Sequence, residues 1–118
     1  MTGVQHRELE AGRWGELTLA EQLGNIGSEV SRAIRWRGRQ QDVARGAFFR
    51  ALELFDLTLA DPRHRSSPAR LREIARAREV VADFLAGPNQ YGATAPSLQK
   101  YFDAFAVAAR LERRRETA

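Results

Sequence analysis

The chain contains no cysteine. That excludes disulfides, thiolate metal sites and cysteine nucleophiles, and it suits a reducing, cytoplasmic setting. Histidine is scarce, with only His6 and His64. Neither shares a helix face with a carboxylate at ligand spacing, so no metal and no other cofactor is expected. No apolar run approaches the roughly 20 residues needed to cross a bilayer, so no membrane partner is expected. The opening stretch is polar and carries Glu8, Glu10 and Glu16. It lacks the apolar segment of a secretory signal. Strand signals are nearly absent, because β-branched residues are few. A phosphate loop is missing too: Gly24 and Gly27 sit inside a helical pattern, and no Gly-Lys-Ser/Thr follows them.

What is present is helix. The 118 residues suffice for one domain with one core, and an apolar fraction of 43% can fill it. Leu19, Leu23, Ile26, Val30 and Ile34 recur every three or four residues, which is one stripe of an α-helix. Beside it runs a stripe of small residues, Ala20, Gly24, Gly27 and Ser31. Glycine in a helix costs about 1 kcal/mol relative to alanine, so this face must let something come close. Four helices are predicted: Leu17 to Arg37, Gln41 to Ala60, Ser67 to Ala86, and Thr94 or Ser97 to Arg115. Asp61-Pro62 stops the second, Pro68 suits the first turn of the third, and Gly87-Pro88 ends it. Short connections make sequential helices antiparallel neighbours. The expected fold is therefore all-α, an antiparallel up-down-up-down four-helix bundle over residues 16–118, behind a flexible N-terminal segment over 1–15.

The second predicted helix is apolar around most of its circumference. Ala44, Ala47, Phe48, Ala51, Leu52, Phe55 and Leu59 form one face. Val43, Leu54 and Leu57 extend it, and Phe49 sits among polar positions. Either this helix is the most central one, or its surplus face meets a second copy of the chain. The fourth helix shows a weaker version, with Ala104, Val107 and Leu111 off its main stripe. A homo-oligomer is expected, with Gly24, Gly27, Trp36, Phe49, Leu54 and Leu57 as interface candidates.

Searching for chemistry gives little. No nucleophile elbow occurs, and Ser66-Ser67 reads as a helix cap. The arginine-then-histidine spacing of small helical HEPN-type nucleases is missing, as is the Glu-x-x-His of di-iron bundles. Arg78 projects toward the apolar stripe of its helix, and Glu53, Asp56 or Glu112 is its expected partner. No catalytic residue is identified.

Of the 19 basic residues only Lys100 is lysine; the rest are arginine, and the net charge is +4. Arginine binds carboxylate and phosphate through a planar fork that lysine lacks. The excess fits a GC-rich genome or a preference for ion pairs as well as a binding role. Bundle topology sorts the arginines by end. Arg32, Arg35, Arg37 and Arg39 gather at one, around Trp36. Arg63, Arg65, Arg70 and Arg72 meet Arg110, Arg113, Arg114 and Arg115 at the other. Such patches suit phosphate backbones. They equally complement helix C-termini.

Asn25-Ile26-Gly27-Ser28-Glu29, a basic connection, and then Phe48-Phe49-Arg50-Ala51-Leu52-Glu53-Leu54 resemble the first two helices of a group of small bacterial proteins. These are the four-helix bundle proteins encoded in intervening sequences of 23S ribosomal RNA genes. The accessory variability determinant proteins of diversity-generating retroelements share that architecture. The resemblance implies ring-like oligomers and, from the accessory proteins, basic surfaces that bind nucleic acid and a reverse transcriptase. It brings no catalytic residue. The expected function is that of a non-enzymatic, homo-oligomeric bundle binding nucleic acid, without sequence preference, or an acidic protein through its arginines. The alternative is a protein–protein assembly module with no nucleic-acid role. An enzyme site built across subunits is a third reading.

Overall fold

The computed structural model of the chain describes residues 10–117. Residues 1–9 of the expected flexible segment, His6 among them, lie outside the described residues. The described chain is all-α, with no strand. It has six helical segments where four were expected. They are α1 (10–14), α2 (Leu19–Trp36), α3 (Gln41–Ala60), α4 (Pro62–Arg65), α5 (Pro68–Ala86) and α6 (Ala95–Thr117). Of the two additions, α4 is a single turn. α4 forms in the second connection because Asp61 caps it, accepting from the Arg63 N–H at 3.0 Å, and Pro62 takes the first position.

Caps explain the other boundaries. Thr18 and Glu21 form a reciprocal capping box on α2: the Glu21 N–H donates to Thr18 Oγ1 at 3.2 Å and the Thr18 N–H to Glu21 Oε1 at 3.0 Å. Ser67 Oγ accepts from the Arg70 N–H at the start of α5. Thr94 and Ser97 exchange backbone-to-hydroxyl bonds at the start of α6.

α2 is the central element. It packs chiefly against α3 on one side and α6 on the other, and α5 covers α3. Leu23, Ile26 and Val30 of α2 are buried with Phe55 of α3, Ile74 and Val81 of α5, and Leu98 and Phe102 of α6. Phe55 and Phe102 meet edge to face, 6.3 Å between centroids. Contacts of α2 with α6 run in opposite sequence directions, through Thr18–Glu112, Gly24–Ala106 and Gly27–Phe102. The small-residue stripe thus receives a helix of the same chain.

The surplus apolar residues of α3 are largely consumed by this packing. Leu54 is buried in the core, and Leu57, Leu59 and Phe48 pack against it. Only Phe49 stays mostly exposed. The surplus face of α6 remains open, with Val107 and Leu111 exposed. An apolar cleft lies between α5 and α6, where Tyr101 Oη donates to Glu73 Oε1 at 3.2 Å.

The core also reaches behind residue 16. Trp14, at the end of α1, is buried, so the packed unit includes part of the stretch expected to be flexible. No helix among the described residues is long and apolar enough to cross a membrane.

Candidate functional site

α2 ends in a tight turn. The N–H groups of Arg39 and Gln40 both donate to the Trp36 carbonyl, at 2.9 and 3.0 Å. Gly38 takes φ 82°, in the left-handed region that favours glycine. Arg32 and Arg35 on the last turns of α2, and Arg37 and Arg39 in the turn itself, are all exposed; Arg32 lines a groove with Glu29 and Asp42. The Arg35 guanidinium lies 5.8 Å from the ring of half-buried Trp36, and that of Arg37 lies 5.0 Å from the ring of Phe84 on α5. Both distances suit cation–π contact. Among the described residues, arginine ion pairs involve Arg50, Arg63 and Arg78, and none of these four.

Beside the turn, a cleft of about 310 Å³ opens between the start of α3 and the end of α5. Arg37, Gln41, Arg45, Phe48, Phe49 and Leu85 line it, and no carboxylate does. Phe49 is 53% exposed. Its ring centroid lies 5.7 Å from that of Phe48. Arg45 and Gln41 were not singled out in the sequence, although they precede Phe49 at four-residue steps along one face of α3.

The opposite end is built differently, because two of its arginines, exposed themselves, bond to buried polar groups. Arg63 wraps Asp61, donating from Nε to Oδ1 at 3.1 Å and from Nη2 to Oδ2 at 2.6 Å, and Nη2 also donates to the Leu17 carbonyl. Arg70 Nη1 faces His64 Nδ1 at 3.4 Å. Arg65, Arg72, Arg110, Arg113, Arg114 and Arg115 are exposed as well. Arg110 and Arg113 line a groove between α6 and α2 together with Glu21 and Asn25. Glu112 beside them accepts from Thr18 Oγ1 at 2.9 Å.

Arg63 and Arg70 flank a buried polar cluster that sequence reasoning missed. Gln22 is fully buried on α2. Its amide donates to the Trp14 carbonyl and to Asp61 Oδ2, both at 2.9 Å. Its Oε1 lies 2.7 Å from His64 Nε2. Both amide hydrogens are thereby used, so Oε1 accepts and His64 carries its proton on Nε2, leaving Nδ1 to accept from Arg70. The Trp14 indole donates to Thr58 Oγ1 at 2.9 Å, and Thr58 donates to the Leu54 carbonyl at 2.8 Å. No buried side-chain polar atom among the described residues lacks a partner. Burial is the main influence on His64 and pushes its pKa down; Arg70 and Arg63 add to the effect, and Asp61 opposes it. The Arg63 hydrogen bonds hold the Asp61 carboxyl well below the usual carboxylate range, aided by Gln22. The available signal was Gln22 itself: a polar side chain three residues after Leu19 and four before Ile26 lies on the apolar stripe and needs a buried partner.

The interface candidates do not come together. Gly24 and Gly27 face α6, Leu54 is in the core, Leu57 and Trp36 are half-buried, and Phe49 is exposed at the cleft. Arg78 pairs with Asp56, Nε to Oδ1 at 2.9 Å, in a partly exposed position rather than a buried one. Among the described residues no three His, Asp or Glu side chains gather as metal ligands. No protein-family model matches the chain, and no curated protein or solved structure matches it.

Proposed function

We propose that the protein is a non-enzymatic antiparallel four-helix bundle, formed by α2, α3, α5 and α6, that self-associates and binds nucleic acid through arginines. One observation carries the binding reading. Arg32, Arg35, Arg37 and Arg39 are exposed around the end of α2, and none is in an ion pair among the described residues. Unpaired guanidinium groups release counterions from a phosphate backbone when they bind it, which favours association at low salt. The α2–α3 end is thus one binding end. At the opposite end Arg63 and Arg70 bond to the buried cluster, and Arg65, Arg72, Arg110, Arg113, Arg114 and Arg115 add further exposed guanidinium groups. The resemblance to accessory variability determinant proteins agrees with this reading.

Self-association is supported by the exposed Val107 and Leu111 on α6. The same pair favours the second reading, an assembly module with no nucleic-acid role. Fluorescence anisotropy with labelled single-stranded and duplex oligonucleotides at two salt concentrations separates the two. Binding that weakens as salt rises supports the nucleic-acid reading. Absence of binding at low ionic strength removes it and leaves the assembly module.

A further inference from the structure

We infer that the cleft between the α2–α3 turn and the end of α5 is a site for single-stranded nucleic acid, in which a base stacks on Phe49 while neighbouring phosphates meet Arg37 and Arg45. This rests on the nucleic-acid reading above and narrows it to one strand form and one place. Several features of the cleft favour that occupant.

The first is Phe49 itself. It is 53% exposed on a helix whose other large apolar residues are covered. Phe48 backs it, with the two ring planes tilted by 32°. An open aromatic face is what an unpaired base stacks upon.

The second is the charge around that ring. Gln41, Arg45 and Phe49 follow at four-residue steps, so an amide, a guanidinium and a ring stand in a row on one helix face. Arg37 faces them from the end of α2, steadied by Phe84. No carboxylate lines the cleft.

The third is size. A space of about 310 Å³ is at the small end of ligand pockets and suits one flat ring system. A duplex keeps its bases paired and stacked, and offering one to Phe49 would cost unstacking energy. An acidic protein segment would engage the two arginines but gain little from an open phenyl ring.

The test is fluorescence anisotropy on the full chain with single-stranded and duplex oligonucleotides of equal length, across a salt series. The proteins are wild type, Phe49→Ala, Phe49→Tyr and the double variant Arg37→Ala/Arg45→Ala. Phe49→Ala should weaken single-strand binding about tenfold while leaving duplex binding and the salt slope unchanged. Phe49→Tyr keeps an aromatic face and should bind like wild type. The double arginine variant should flatten the single-strand log K against log salt slope by about 1.4. Phe49 is exposed, so these variants fold, and circular dichroism checks that they do. Single-strand affinity unchanged in Phe49→Ala overturns the site, as does an equal loss for both strand forms. A change in sedimentation without a change in affinity also overturns it, and assigns Phe49 to a protein contact. If the site fails while wild type still shows salt-sensitive binding, the broader function stands. If wild type binds no oligonucleotide, both fall.

Discussion

Gly27 of α2 lies directly against Phe102 of α6: a Cβ placed on Gly27 would fall 2.4 Å from the Phe102 Cβ. No side chain fits in that space without moving α6. Gly24, one turn earlier, is less tight, with its nearest contact the Ala106 Cα at 3.5 Å. Gly46 on α3 has nothing within 4 Å.

These three glycines should respond differently to alanine. Gly27→Ala should destabilise by about 1–3 kcal/mol, the usual cost of overpacking a core. Gly46→Ala should stabilise by about 0.5–1 kcal/mol, through helix propensity alone. Gly24→Ala should fall between, near neutral. Urea denaturation followed by circular dichroism gives the ranking. A Gly27→Ala protein as stable as wild type would show that α6 does not approach α2 this closely.

The contrast marks how far the sequence could be read. Helix spans were legible because their signals are local. Gln41–Ala60 is bounded as expected, Pro68 opens α5, and Thr94 and Ser97 together start α6. The stripe Ala20, Gly24, Gly27, Ser31 announced a close approach but could not name the approaching element, since that depends on packing. The buried cluster was illegible for a related reason. Trp14 and Thr58 are 44 residues apart, and Gln22 and His64 are 42 apart. Each looks like an ordinary polar or terminal residue until the fold joins them. Arg63 and Arg70 accordingly read as surface charge, although they hold the cluster. Of the cleft beside the α2–α3 turn, Phe49 and Arg37 stood out in the sequence. Arg45 did not, because nothing local sets it apart from the other arginines.

Gln22 should be the most sensitive member of the cluster. Gln22→Leu keeps the volume but removes two donors and one acceptor. That leaves the His64 Nε2–H unpaired inside the protein, while the Trp14 carbonyl keeps the Leu17 N–H at 3.1 Å. The expected loss is about 2 kcal/mol, since one buried orphan costs about 1–3 kcal/mol and the bond to Asp61 is lost with it. Trp14→Phe keeps most of the buried surface and removes only the indole donor. Thr58 still donates to the Leu54 carbonyl, so this variant should lose only about 1 kcal/mol. Equal urea midpoints for the two variants would mean that the amide is not the hub.

The same cluster makes stability depend on pH. Burial depresses the His64 pKa in the folded chain, so below about pH 6.5 the unfolded chain binds more protons than the folded one. Stability should therefore be full above that pH and fall as the solution is acidified. The groups facing His64 are Asp61, Arg63, Arg70 and the Gln22 amide. Asp61 titrates in the same sense but lower, its depressed folded pKa adding a second loss below about pH 4. Urea midpoints from pH 7.5 to pH 5 should decline in wild type and stay flatter in His64→Gln. A wild-type profile that rises on acidification would reverse the sign of the argument.

Self-association should depend on the outer face of α6. Ala104, Val107 and Leu111 recur at three- and four-residue steps, and all three are exposed. Val107 is 43% exposed and Leu111 48%, on a helix that packs chiefly against α2. Two glutamates placed there would bring like charges together in any contact between copies, with no effect on the core. Val107→Glu/Leu111→Glu should therefore sediment as a smaller species than wild type at micromolar concentration. Its unfolding free energy should change by no more than about 0.5 kcal/mol at concentrations where both proteins are monomeric. If both proteins sediment alike as monomers, the chain does not self-associate. If both sediment alike as oligomers, the contact lies elsewhere, and Phe49 at the cleft becomes the next apolar residue to test.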